Sequence, residues 1–423
     1  MRMLIKNGKL VNPRGKSDGE ISIKDGMIEA VGAPFGDYDD TIDADGMIIM
    51  PGLIDMHVHL RDPGYEYKED IWSGTAAAAK GGFTAVACMP NTNPVVDNEA
   101  IVTYIIDKAK EAGTTRVYPI AAITKGLKGD DISEMGILKE AGAVAFSDDG
   151  RPVMNSGIMR LALLYSKTFD GLLISHCEDL NLINGGVMNE GDESTMIGLR
   201  GISRAAEETM EARDIILAST YGGKIHLAHI STRGAVEMVR EAKKRGIQVT
   251  CETCPHYFAA DDSWVDGYDA NTKVNPPLRT KDDVAAIREG LADGTIDCIV
   301  TDHAPHHADE KNVEYDIAAN GISGIESSVA LTLGLVRDGV IGYDRMAELM
   351  SANPAALLGV AGGVIEAGKP ADITLIDPDE VYTYTKESMI SKGKNSPFIG
   401  MNMQGRAALT MVGGNVVYDG RKR

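Results

Sequence analysis

Eight times along its middle, this chain repeats an apolar, β-branched run followed by a stretch with helical spacing. No other feature constrains the fold as tightly. The runs are GLIDMHVHL (52–60), FTAVACM (83–89), RVYPIAAI (116–123), AVAFSDD (143–149), LLISHCE (172–178), KIHLAHI (224–230), IQVTCET (247–253) and DCIVTDH (297–303). Between most of them lie segments with apolar residues three and four apart, such as IWSGTAAAAKGG, AIVTYIIDKAKEAG and AVEMVREAKKRG, each closing on a glycine as helices often do. The stretch 154–168 reads the same way, while 179–202 is an extra excursion. Near-continuous apolar strands alternating with helices imply a parallel sheet buried on both faces. Eight of them predict an α/β fold, a (β/α)8 TIM-type barrel over 51–364. A doubly wound open sheet is the alternative, but it would typically use fewer strands and hold its site at a switch point.

The ends are different. Residues 1–50 read as short strands, MLIKNGKLV, GEISIKDGMIEAVG and DTIDADGMIIM, whose Asn-Gly, Lys-Asp-Gly and Asp-Gly breaks are hairpin signals. The tail, ADITLIDP then ALTMVGGNVVYDG, behaves likewise. Segments 1–50 and 365–423 are therefore expected to meet in one small β-sandwich. At 423 residues the chain accommodates a barrel plus such a module and can bury a large core without disulfides.

Charge excludes some partners. With 62 acidic against 42 basic residues the net charge is −20, which repels nucleic-acid phosphates and anionic membranes. No apolar stretch approaches a membrane span, and the N-terminus lacks the apolar core of a signal peptide. The five cysteines are odd in number and scattered, as suits a reducing cytoplasm. Cys251 and Cys254 form a lone CxxC followed by Pro255 and His256, which reads as incidental packing rather than zinc-ribbon or redox chemistry.

Barrel active sites lie at the C-terminal ends of the strands, and metal-capable residues fall there. His57 and His59 stand two apart near the end of the first strand, on the same side. Asp149 ends the fourth, His176 the fifth, His229 the sixth and Asp302 the eighth. One such histidine would more often be a satisfied core residue, but six metal-capable side chains at the correct end of a barrel argue for a centre. Nitrogen and oxygen donors without thiolates suit Zn²⁺, with Mn²⁺ or Co²⁺ as substitutes. Six ligands are too many for one catalytic zinc and suit two, roughly 3.5–4 Å apart. Such a pair activates water and polarises a carbonyl, and a nearby carboxylate can carry the proton.

HVHLRDPG after PGLID, then MPNTNP, SHCED, LAHIST, NPPLR and TDHAPH, with KPADITLID near the tail, resemble the long bacterial (class I) dihydroorotases of the amidohydrolase superfamily. The resemblance implies reversible cyclisation of N-carbamoyl-L-aspartate to L-dihydroorotate in pyrimidine (UMP) biosynthesis. It implies two Zn²⁺: His57, His59 and Asp302 on the first, His176 and His229 on the second, and Asp149 bridging where many relatives use a carboxylated lysine. Asp302 would also be the catalytic acid/base, and Asp148 structural. A homodimer, and association with aspartate transcarbamoylase, are the assemblies expected.

Substrate contacts are expected from His59, Arg61, Asn91, Asn275, His306, Asn320 and Gly321. Arg61 lies two residues beyond His59, and a guanidinium grips a carboxylate bidentately. Asn91 and Asn275 also sit beside prolines, where turn chemistry is the competing explanation. His303 should point away from the site, His226 should face the helical layer, and His307 should be a surface residue. His256 follows the seventh strand, where a supporting place behind the site competes with a purely structural one. One departure stands out: where the family usually carries Pro-Phe-Gly, this chain has Ala319, Asn320 and Gly321, which puts loop closure in question. The alternatives are another cyclic amidase, hydantoinase- or allantoinase-like, and a non-catalytic partner subunit of aspartate transcarbamoylase.

Overall fold

The computed structural model of the chain describes every residue except 14, 33, 35, 422 and 423. Its centre is an eight-stranded parallel sheet whose strands we number in chain order: β1 (Leu53–Val58), β2 (Phe83–Cys88), β3 (Arg116–Ala121), β4 (Ala145–Ser147), β5 (Leu172–Ser175), β6 (Lys224–Leu227), β7 (Val249–Thr253) and β8 (Cys298–Ile299). Spatial order follows chain order, each strand pairing with the next. The ring closes between β8 and β1. There Val58 bridges His303 in parallel, and the His59 amide donates to the His303 carbonyl at 2.8 Å. Below that seam the Asp55 carboxylate accepts from the Thr301 hydroxyl at 2.5 Å and from the Thr301 amide.

Alternation along the strands fills two layers. Ile54, Met56, Ala85, Ala87, Ala145, Ile174 and Ala228 pack in one buried cluster, the barrel interior. Leu53, Val58, Phe83, Val86, Phe146 and Leu227 pack in another with apolar residues of the surrounding helices. The expected helices are present, for example Ile71–Lys80 capped by Asp70, Glu99–Ala112 capped by Asn98, and Arg233–Lys244 capped by Thr232.

The chain ends form two further sheets, one from the N-terminal segment alone and one from both ends. A four-stranded sheet holds Arg2–Lys6, Glu20–Lys24, Met27–Gly32 and Asp40–Asp43; a six-stranded one holds Lys9–Asn12, Gly15–Asp18, Ile48–Pro51, Ile373–Thr383, Asn402–Val412 and Asn415–Asp419. Ile5, Ile21, Ile49, Ile373, Leu375 and Leu409 share one core. Of the three hairpin signals, only Asp25-Gly26 closes a hairpin, between Glu20–Lys24 and Met27–Gly32. Asn7-Gly8 and Asp45-Gly46 instead pass the chain from one sheet to the other. A left-handed residue there (Asn7 φ 61°, Asp45 φ 44°) reverses direction whether or not the flanking strands pair, so the local signal does not distinguish a hairpin from a corner.

Candidate metal centre

Of the six metal-capable residues, only His57 lies within a hydrogen-bonded strand. Asp149, His176, His229 and Asp302 follow β4, β5, β6 and β8 by one to three residues, and His59 follows β1. The strands are shorter than their apolar runs because the chain leaves the ladder to aim these side chains. His229 and Asp302 have positive φ (36° and 44°), as does Arg61 (60°). Non-glycine residues pay for that conformation, and such strain clusters at functional sites.

The six converge on one point. Asp149 Oδ1 lies 3.4 Å from His57 Nε2 and 3.5 Å from His229 Nε2, and Asp149 Oδ2 lies 3.4 Å from His59 Nε2. Asp302 Oδ1 is 3.1 Å from His59 Nε2 and 3.5 Å from His57 Nε2. His176 Nδ1 faces His229 Nε2 at 2.9 Å. Two ligand-like trios result, His57–His59–Asp149 and Asp149–His176–His229, with Asp149 common to both.

These residues fit divalent metals. His57 Nε2 and Asp149 Oδ1 are buried and, though neighbours, find no hydrogen-bond partner among the described residues. Buried polar atoms are rarely left so. On His57 and His59 the opposite ring nitrogen is held. His57 Nδ1 meets the Glu252 carboxylate at 2.5 Å, and His59 Nδ1 meets Asn91 Oδ1 at 2.9 Å. Donating there leaves each Nε2 lone pair aimed at the centre, the tautomer a metal requires. Burial alone would disfavour an imidazolium at His57, yet the Asp149 and Glu252 carboxylates push its pKa well above the usual histidine range. Burial would likewise raise Asp149, but the His57 charge and the neighbouring His229 imidazole hold it well below the usual carboxylate range. Asp302 behaves the same way, with His59 the main partner against burial. Cations belong among these carboxylates.

Two carboxylates behind the ligands escaped the sequence reading. Glu252, fully buried, joins His57 to His226 (Oε2 to Nε2, 3.1 Å), and the two imidazoles hold its pKa down at about 2 against burial. Glu178 lies 3.5 Å from His176 Nε2, and His176, helped by Asn275, holds its pKa below the usual carboxylate range against burial. The available signals were a charged residue inside an apolar barrel strand and an acid two residues after a ligand. His226 corrects the expectation that it faces the helical layer: it shares a carboxylate with His57 and also contacts Thr250 Oγ1 at 2.8 Å. Counting three back from His229 fails because β6 ends at Leu227 and the positive φ at His229 resets the alternation.

Other expectations hold. His303 turns to Glu69 at 3.4 Å, and His307 is exposed. Asp148 accepts from the Thr124 amide at 2.9 Å and from its hydroxyl, and burial pushes it up to about 6. Cys251 and Cys254 are buried free thiols; Cys254 and His256 form a further trio with Asp302, and burial brings His256 down to about 4, a neutral imidazole beside the centre.

The expected substrate contacts form the rim. Arg61 donates from Nε to the Pro305 carbonyl at 3.2 Å, and its Nη2 lies 3.3 Å from His306 Nε2. Burial lowers its pKa, and the Asp302 and Asp149 carboxylates oppose that, so it senses the centre. His306 Nε2 also meets the Asn320 carbonyl at 2.8 Å; burial and then Arg61 bring it down to about 3, so it is neutral. Gly321 is buried, its amide donating to the Lys273 carbonyl at 2.9 Å, whereas Asn320 is exposed. Asn275 precedes a cis proline, and Asn91 is first a partner of His59.

A closed parallel barrel with four imidazoles and two carboxylates at its C-terminal mouth is the architecture of the amidohydrolase class of hydrolases. The L-hydantoinase (dihydropyrimidinase) of Arthrobacter aurescens has the same fold, with a TM-score of 0.89 and 26% identity over 99% of this chain and 96% of that one. A dihydropyrimidinase from Brevibacillus agri superposes at 0.86 with 22% identity, covering 100% and 96%. A family model described as dihydro-orotase-like matches residues 46–235. Dihydroorotases of Trichlorobacter lovleyi and Geobacter metallireducens are each 54% identical, over 100% and 99% of this chain and the whole of each relative. That of Acetivibrio thermocellus is 54% identical over 98% of both. The chain belongs to the dihydroorotase family.

Proposed function

We propose that the chain catalyses the reversible, metal-dependent ring closure of N-carbamoyl-L-aspartate to L-dihydroorotate, a step of UMP synthesis. The observation that carries this reading is Arg61 at the rim of an aspartate-centred hydrolytic site, in a chain similar over its full length to dihydroorotases. Both substrate forms carry an α-carboxylate that a guanidinium can hold. The hydantoinase-like alternative rests on similar structures at 22% to 26% identity, well below the 54% of the dihydroorotases.

In this reading His57, His59 and Asp302 would hold one Zn²⁺, His176 and His229 would hold a second, and Asp149 would serve both trios. Bound there, zinc would supply water activation and polarisation of the attacked carbonyl. In hydrolysis Asp302 accepts a proton from the attacking water and delivers it to the departing ring nitrogen; cyclisation runs the same transfer backwards. Arg61 orients the carboxylate. His59, Asn91, Asn275, His306 and the backbone of Asn320 and Gly321 complete the grip. Residues 51–364 carry this chemistry, and 1–50 with 365–423 support it.

Purified protein should hydrolyse L-dihydroorotate and close N-carbamoyl-L-aspartate, and turn over hydantoin, allantoin and dihydrouracil far more slowly. Preference for a neutral ring would replace this reading with the other cyclic amidases. Absence of both turnover and stoichiometric zinc would indicate a non-catalytic partner subunit.

A further inference from the structure

One buried amide ties the rim of the barrel to a segment outside it. Asn395 lies in the connection between Ile373–Thr383 and Asn402–Val412, two strands of the six-stranded sheet, and is 2% exposed. Its Nδ2 donates to the carbonyls of Ala304 (3.1 Å) and Gly321 (3.0 Å). Its Oδ1 accepts from the His306 amide (2.9 Å) and the Ser323 hydroxyl (2.9 Å). These four bonds use the full donor and acceptor capacity of an asparagine side chain. They span both rim loops, the one after β8 that presents His306 and the one that carries Asn320 and Gly321.

The neighbourhood is built to let that amide in. A Cβ on Gly393 would lie 2.6 Å from Pro305 Cβ and 2.8 Å from the His306 nitrogen, so the incoming backbone presses directly on the His306 loop. Gly321 has φ 141°, and a Cβ there would sit 2.6 Å from the Ala304 carbonyl. The Gly321 carbonyl is also held from the other side by Lys311 Nζ at 3.1 Å, which bonds Ala319 O at 2.8 Å. A polar clamp therefore grips Gly321 at the end of the Ala319-Asn320-Gly321 stretch.

We propose that Asn395 is a positioning residue for the active site, setting the spacing of the His306 and Gly321 loops between which the substrate is held. The inference rests on the reading that those loops face the substrate. It predicts that a segment outside the barrel governs substrate affinity without touching substrate or metal.

Asn395→Asp is the test. The substitution is isosteric and keeps both acceptor contacts, but it turns an oxygen toward two carbonyls that now lose their donor, a costly arrangement when buried. KM for L-dihydroorotate should rise about tenfold or more, with kcat changed by less than about threefold and metal content unchanged. Hydrogen exchange should accelerate at 304–306 and 319–323 and stay as in the wild type at 57–59. An unchanged KM overturns the role whether or not exchange changes; so does loss of kcat together with metal, which would mark Asn395 as merely structural. If Asn395→Asp does not accumulate folded, Lys311→Met releases the same carbonyl and should give the same signature; wild-type KM or exchange there overturns the inference. Exchange is read without turnover. A wild type inactive on L-dihydroorotate therefore sinks the proposed function, while unchanged exchange sinks the positioning role.

Discussion

The two walls of the barrel mouth are made differently. The metal wall comes from strand ends: His57, Asp149, His176, His229 and Asp302 each stand within three residues of a barrel strand. The outer nitrogen of His57 is braced from inside the barrel by Glu252, which His226 holds in turn. The wall proposed to hold the substrate comes from loops. Arg61 is held by the Pro305 carbonyl and His306 by the Asn320 carbonyl, Lys311 holds Gly321, and an asparagine some ninety residues beyond His306 holds both the His306 amide and the Gly321 carbonyl. Chemistry placed on rigid elements is aimed by geometry, whereas specificity placed on loops is aimed by hydrogen bonds that can be rebuilt without disturbing the metals.

That contrast can be broken most severely at Asp302, which belongs to the metal wall and is also the proposed proton carrier. Asp302→Asn should lower turnover by ~10²–10⁴-fold in both directions. Near-normal turnover with intact metal content would remove it from that role.

Arg61 tests the other wall. Arg61→Met keeps length and loses charge, and should cost roughly 30- to 4,000-fold in kcat/KM for L-dihydroorotate. Residual activity on dihydrouracil, which lacks the carboxylate, should barely change. Equal losses on both substrates with zinc retained would mean that Arg61 organises the metal wall instead, and the division between the walls would fail.

The mildest probe sharpens the comparison. Glu252→Gln removes the charge behind His57 while keeping its shape, and should weaken metal binding roughly 10- to 100-fold in a chelator competition. Hydrogen exchange at 319–323 should not respond. Unaltered metal affinity would reduce Glu252 to a core residue.

How far each wall could be read in advance follows from its construction. All six metal-capable residues were visible because each follows an apolar run, and a barrel puts its chemistry at that end of every strand. Arg61 and His306 were visible through motif position. Glu252 was not, since a glutamate in a strand carries no sign of which face it takes. His226 was misplaced because two-residue alternation was extended past the end of β6, where His229 adopts a positive φ. The Asn7-Gly8 break was misread in the same way, a local turn signal taken for a pairing.

By itself, the sequence determined the eightfold strand–helix repeat and the six metal-capable residues that gather at one end of the barrel. These are local periodicities, and short-range sterics enforce them wherever the chain goes. Only the tertiary structure decided that Asp149 is shared by both trios, that Glu252 and His226 brace His57, and that Asn395 closes on His306 and Gly321. Those contacts join residues from 26 to nearly 200 positions apart, and no spacing rule encodes them. They form because leaving a buried donor or acceptor without a partner is costly, so the packed chain favours the arrangement that pairs Glu252 with His57 and His226 and fills every hydrogen-bonding position of Asn395.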